Sequence, residues 1–293
     1  MASKTTRRDL VKNLVLGSAA LAATPSLSFA GCQSAEGAKL KGNIKHSVCR
    51  WTYDFMPLDE LCKTVKKIGF AAIDLVGPKD WNILKSNGVY SSMCNGAEIS
   101  LTEGWNDPQY HPTLIKNYSD HIDLVSKAGY TNLICFSGNR KGMDDETGLK
   151  NCVAGLKKIL PAAEKAGVVI QMELFNSKIN HPDYMCDKSA WGIELCKQLG
   201  SENFKLLYDI YHMQINEGDI IRTITDHHQY FGHYHTAGVP GRHEIDDSQE
   251  IYYPAVIKAI VATGFKGYLA QEFIPTKADK VAVLKQAVLT CDV

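Results

Sequence analysis

Four residues able to hold a metal ion stand at equivalent places in the second half of the chain. Residues 168–173 form a short apolar run ending in Glu173, and residues 204–209 form another ending in Asp209. Residues 231–235 end in His235, and residues 267–272 end in Glu272. Three carboxylates and one imidazole make a hard, mixed oxygen and nitrogen donor set. Such a set suits one divalent ion, Mn²⁺ or Mg²⁺ ahead of Co²⁺ or Zn²⁺, and offers nothing to a soft metal. An ion held there acts as a Lewis acid on adjacent substrate oxygens. Carboxylates beside it can remove and return a proton on the carbon next to a carbonyl. Glu173 and Glu272 can serve as ligand and as acid/base. His233 competes with His235 for the imidazole position, because residues two apart on a strand share a face.

Any one of these residues would pass for a helix N-cap, a solvated loop carboxylate or a structural histidine. Their recurrence at four successive strand ends is what points to a site. Each run is too short for a helix, and a segment with helical spacing follows it. The same alternation begins earlier. Strands are expected at 46–50, 70–76, 89–94 and 130–136, ahead of the four already described. Helices are expected at 57–68, 78–87, 112–128, a stretch reaching 166, 187–199, 218–227, 250–263 and 277–289. Gly69, Gly129, Gly167, Gly200 and Gly264 stand where helices should stop. Eight such units with no break in composition predict an α/β fold, a (β/α)8 TIM barrel with all strand C-termini at one rim. Long polar loops after strands three, four, five and seven would line that rim, and Trp51, Tyr53, Trp81, Trp105 and Phe175 are expected near it, either to stack on a sugar or close a lid or simply to pack. No GxGxxG follows the first strand, which weighs against a dinucleotide-binding sheet.

The barrel is expected to occupy residues 46–293. Residues 1–31 read as an export signal. Arg7 and Arg8, with Leu10 and Lys12, resemble the twin-arginine consensus, and an Ala-rich apolar stretch and small residues follow. Residues 29–32 resemble a lipobox, in which Cys32 would carry lipid and supply the only membrane attachment. Residues 32–45 read as a polar tether. The expected location is the periplasm, with a lipid anchor if Cys32 is used. Net charge is zero, the pI is near 7.1 and no long basic run appears, so nucleic acid is not an expected partner. The expected partner is a small-molecule substrate, a keto acid or a sugar, and a homo-oligomer is left open. The nine cysteines form no CxxC pair. Cys49, Cys94 and Cys135 lie in apolar runs and read as small core residues.

At this point a family resemblance enters. The run Tyr208, Asp209, Ile210, Tyr211, His212, Met213 and Gln214 looks like the hallmark of hydroxypyruvate isomerases. Residues 173–176 are similar to that family's Glu-Pro-x-Asn. Residues 232–235, 240–242, 250–253 and 271–275 resemble its last two strands and the loop between them. The likeness spans about residues 46–290. It places the chain among xylose-isomerase-like barrels, with ketose 3-epimerases and endonuclease IV. It implies that Glu173, Asp209, His235 and Glu272 bind the metal, that Glu173 and Glu272 are the acid/base pair, and that His212 and Arg242 touch substrate. It implies an isomerase acting on a small hydroxy-carbonyl compound through an enediolate. Two departures stand out. His235 occupies a place where hydroxypyruvate isomerases tend to have Gln and epimerases have His. Residues 245–249 replace a Gly-rich segment. An exported ketose 3-epimerase or keto-sugar lyase would use the same residues, and a sugar-binding protein on a degenerate barrel is the reading without catalysis.

Overall fold

Short apolar runs between glycine-stopped helices fold as the strands of one closed parallel barrel. The computed structural model describes residues 39–293. The expected export signal, Cys32 and most of the tether lie outside the described residues. The strands are β1 (Lys45–Val48), β2 (Ala72–Ile73), β3 (Tyr90–Ser91), β4 (Asn132–Cys135), β5 (Val169–Glu173), β6 (Phe204–Asp209), β7 (Phe231–Thr236) and β8 (Tyr268–Gln271). Six of them pair in the order β1-β8-β7-β6-β5-β4, and β2 pairs with β3. Single bridges, Cys49 to Asp74 and Cys94 to Leu133, join the pair to the six on both sides. The ring of eight therefore closes, and no strand keeps an open edge.

Among the described residues ten helices surround it: α1 (Leu58–Ile68), α2 (Trp81–Ser86), α3 (His111–Ala128), α4 (Asp145–Leu156), α5 (Leu160–Ala166), α6 (Ser189–Leu199), α7 (Ile210–Asn216), α8 (Ile220–His227), α9 (Tyr253–Ala262) and α10 (Lys280–Cys291). In α1 the apolar spacing buries Leu58, Leu61, Cys62, Val65 and Ile68 on one face. Asp59 and Glu60 in its first turn and Lys66 and Lys67 in its last complement the helix dipole. Glycines end helices in left-handed backbone, as at Gly129 (φ 81°) and Gly200 (φ 63°). Among the described residues no helix is long and apolar enough to cross a membrane. The eight described cysteines are unpaired and buried.

Two departures from the expected elements bear on the site. The helix expected to reach residue 166 is divided, because Pro161 lacks the N–H that a continuous helix needs and opens α5 instead. A short helix, α7, follows β6 directly. Asp209 caps it, with Oδ1 accepting from the Tyr211 N–H at 2.8 Å.

The register between β6 and β7 slips by one residue. Leu206 faces Phe231, but Leu207 faces His233 and Asp209 faces His235. Gly232 is the residue passed over. Without the slip Asp209 would pair with Tyr234, whose side chain points to the other face. Only glycine fits there, since a Cβ would lie 2.7 Å from Gln171 Oε1 and 2.9 Å from Lys205 Cβ. One missing side chain thus sets two ligand-type residues side by side.

Candidate active site

β5 and β6 deliver their last residues, β7 its penultimate one and β8 the residue just after it to one rim. One ligand atom from each of Glu173, Asp209, His235 and Glu272 lies within 4.8 Å of the others, and all four residues are buried. His235 Nδ1 is 2.8 Å from Glu272 Oε2 and 3.2 Å from Glu173 Oε1. It is hydrogen-bonded to the first, and Glu173 Oε1 is left buried with no hydrogen bond. An oxygen in that condition is costly unless a cation meets it. Three buried carboxylates balanced by Arg242 and one imidazole, all hard donors, fit a divalent ion. His233 does not reach this cluster. Its Nε2 lies 3.1 Å from Asp74 Oδ1, on the inner side of His235, so His235 is the imidazole that can serve as ligand.

The electrostatics follow from burial and crowding. Burial carries Glu173 up to about 7, and neighbouring Glu272 adds to the rise. Burial carries Asp209 up to about 8 against the pull of Arg242. Burial would raise Glu272 as well, but Arg242 and His235 outweigh it and hold this carboxyl well below the usual range. Burial opposes a charged His235, yet Glu272 and the hydrogen bond to Asp74 raise it well above an ordinary imidazole. The group is thus a set of carboxylates with separated proton affinities, an arrangement suited to acid/base work.

Arg242 and His212 complete the inner wall. Arg242 has left-handed backbone (φ 60°), which costs a non-glycine residue about 1 kcal/mol or more. Its peptide is held there by Ile274 N–H donating to the Arg242 carbonyl at 2.7 Å. Its guanidinium bonds Glu272 and lies 3.3 Å from Asp209 Oδ2. It stacks between Trp51 and Tyr211, with ring centroids 5.4 and 5.2 Å away. His212 is buried and neutral, its pKa lowered by burial and then by Arg242. Asn176 Oδ1 is taken by the Ile179 and Asn180 N–H groups. Asn176 Nδ2 therefore donates to His212 Nδ1 at 2.6 Å. The His212 proton is then on Nε2, which faces Arg242 Nη1 at 3.0 Å, donor against donor.

Sequence reasoning missed two contributors, Asp74 and His181, and placed Trp51 at the rim without its bond to Glu272. Asp74 is fully buried and accepts from His235 Nε2 at 2.8 Å. The signal was present: an acid in the middle of the apolar run 70–76 cannot be buried without a partner. Trp51 Nε1 donates to Glu272 Oε1 at 2.8 Å. His181 stacks on Phe175 at 4.2 Å between centroids, and burial lowers its pKa to about 4. A cavity of about 610 Å³ opens over the cluster, walled by Trp51, Ile99, Leu101, Phe136 and Phe175. A slightly larger one, about 670 Å³, lies at the opposite end of the strands beside Lys45, Ala72 and Tyr268 and contains no such cluster. The ligand-type cluster therefore opens into the first. Of the aromatics near the expected rim, Tyr53, Trp81 and Trp105 are core residues.

The sequence profile of the family described as Xylose isomerase-like TIM barrel matches residues 62–288. A 2-oxo-tetronate isomerase of Cupriavidus necator is 34% identical over 114 residues, a match covering 39% of this chain and 43% of that protein. The hydroxypyruvate isomerase of Escherichia coli is 24% identical over 237 residues, covering 76% of this chain and 89% of its own length. Among solved structures, an AP endonuclease family 2 protein from Brucella melitensis superposes with a TM-score of 0.70 at 21% identity, covering 82% of this chain and 97% of that one. A 3-keto-D-glucoside 4-epimerase from E. coli also gives 0.70, at 16% identity, covering 84% and 98%. At these identities the structural likenesses show the fold alone.

Proposed function

The chain belongs to the xylose isomerase-like TIM barrel family, and on that premise we propose that it is a metal-assisted isomerase of small hydroxy-carbonyl compounds or sugars. The observation that carries the reading is the buried four-residue cluster, in which one carboxylate oxygen has no hydrogen bond. The isomerase names of its sequence relatives support the reaction class. Glu173, Asp209, His235 and Glu272 would hold one divalent ion, Mn²⁺ or Mg²⁺ ahead of Co²⁺ or Zn²⁺. When bound, the ion supplies Lewis acidity to a substrate carbonyl and its neighbouring hydroxyl.

The chain's own groups do the rest. Glu173, with a proton affinity near neutrality, takes the proton from the carbon beside the carbonyl. As the acid so formed, Glu173 returns it to the neighbouring carbon, and Glu272, kept ionised by Arg242 and oriented by Trp51, is its partner in carrying the hydroxyl proton that must pass between the two substrate oxygens. His212 presents its Nε2 proton to a substrate oxygen. Arg242, which faces that proton donor to donor, gains by turning to the substrate. Apolar walls exclude water from the intermediate.

The second reading, a ketose 3-epimerase or keto-sugar lyase, is favoured by the size and aromatic walls of the cavity, which exceed what a three-carbon keto acid fills. The test is proton exchange in D₂O. Hydroxypyruvate, ketoses and 3-keto-glycosides are incubated with the protein, with Mn²⁺ or with chelator. Chelator-sensitive exchange next to a carbonyl is expected, and the compound that exchanges identifies the substrate. Stoichiometric ion with no exchange from any compound would sink the enzymatic reading and leave a sugar-binding barrel.

Residues 1–31 are proposed to direct export by the twin-arginine route to the periplasm, with the barrel from residue 46 onward as the exported enzyme. Mass measurement of the mature N-terminus tests this, and a lipid mass on Cys32 would identify an anchor.

A further inference from the structure

The ion-site reading leaves a buried polar network behind His235 without a role. Asp74 follows β2 and is completely buried. Its Oδ2 accepts from His235 Nε2 at 2.8 Å, and its Oδ1 accepts from Ser92 Oγ at 2.5 Å. Ser92 Oγ in turn lies 2.6 Å from Ser47 Oγ. His233 Nε2 is 3.1 Å from the same Asp74 Oδ1, and its ring meets that of His235 edge to face, 5.3 Å between centroids. The chain of contacts links β1, the ends of β2 and β3, and β7. It lies at the seam where single bridges close the barrel.

A neutral imidazole carries one proton on either nitrogen, and the partner of the other nitrogen decides which. His235 has Glu272 and Glu173 on its Nδ1 side and only Asp74 within hydrogen-bond distance of Nε2. Cys49 Sγ stands 3.9 Å from that nitrogen, too far to compete well. We infer that Asp74 is a positioning residue of the ion site: by accepting the Nε2 hydrogen bond it fixes which proton His235 keeps when an ion replaces the one on Nδ1, and it holds Nδ1 facing Glu173, Asp209 and Glu272. Ser92 holds Asp74 in place by donating to its other oxygen, beside which His233 stands. The inference rests on the ion-site reading and adds to it a residue from a different strand. A carboxylate behind a ligating histidine typically changes ion affinity by about 10–100-fold.

The full chain, stripped of metal by chelator, is titrated with Zn²⁺ against a chromophoric chelator. Wild type, Asp74→Leu and Asp74→Asn are compared, and thermal midpoints are recorded alongside. One Zn²⁺ per chain is expected. Asp74→Leu, similar in volume but unable to accept, should bind it about 10–100-fold more weakly. Asp74→Asn keeps one acceptor oxygen and should lose less. Unchanged affinity in Asp74→Leu would overturn the role of Asp74 and leave the ion site standing. Two Zn²⁺ per wild-type chain, with one lost on substitution, would make Asp74, His233 and His235 a second ion site instead. No Zn²⁺ bound by wild type would sink the ion site itself. If Asp74→Leu does not fold, ¹⁵N NMR of the histidines in Zn²⁺-loaded wild type decides. A protonated Nε2 and a metal-bound Nδ1 on His235 are expected, and the opposite assignment overturns the proposal.

Discussion

At the scale of single residues, the site works by giving each polar atom one task. Asp209 uses Oδ1 to cap α7, which leaves Oδ2 for the cluster. The carboxylate at a strand end is therefore N-cap and candidate ligand together, where the sequence presented those as alternatives. Glu173→Gln keeps an oxygen that can ligate but cannot take a proton. It should slow substrate proton exchange in D₂O by at least about 10²-fold while the melting temperature stays near wild type. Exchange at the wild-type rate would remove Glu173 from its assigned role. Trp51→Phe keeps the ring over Arg242 and deletes the N–H donated to Glu272. A hydrogen bond to a charged group is worth roughly 1.5–3 kcal/mol, so kcat should fall by about tenfold or more, with KM much less affected. Glu173, Asp209 and Glu272 were legible because each ends an apolar run. His235 could not be told from His233 by alternation; both stand beside Asp74, and what separates them is that His235 alone reaches Glu272 and Glu173.

At the scale of elements, the decisive feature is the one-residue slip between β6 and β7. Gly232→Ala must push its Cβ against Gln171 and Lys205 or restore the regular register, which would turn His235 away from Asp209. A loss of about 1–3 kcal/mol in unfolding free energy is expected, together with weaker Zn²⁺ binding. A loss of stability with unchanged ion affinity would show that the slip does not set the ligand geometry. The alternation of strands and helices, the order of the rim loops and the glycine stops were all readable from periodicity. The division at Pro161 is legible in the sequence, since a proline inside a helical stretch ends or restarts it. The short helix α7 was not, since seven residues directly after a strand carry too little periodicity to register. The slip itself leaves no local trace, because its cause is a side chain absent at residue 232 and two neighbours on other strands.

At the scale of the whole molecule, the barrel buries several ionisable groups and its stability should depend on what neutralises them. Before an ion binds, Glu173 at about 7 and Asp209 at about 8 hold protons that an unfolded chain releases near pH 4. Between those values the folded state binds more protons than the unfolded one, so this contribution to stability is lost as pH rises through 7 and 8. Chelator-treated protein should therefore melt at a lower temperature at about pH 8.5 than at about pH 7. An ion at 100 times its Kd should restore about 2.7 kcal/mol, and at one fixed ion concentration the gain should be larger at the higher pH because fewer protons must be displaced. A midpoint that rises with pH in the ion-free protein would contradict the raised carboxylates. The eight described cysteines have a consequence of another kind. Each is hidden in the packed interior, so an alkylating reagent meets a thiol only when the protein opens. Modification rates at the individual cysteines would then act as clocks distributed through the barrel, separating local breathing from global unfolding. The same arrangement imposes an order of events. A chain entering an oxidising space before it folds would present all eight for random cross-linking, whereas one entering after it folds would present none of them.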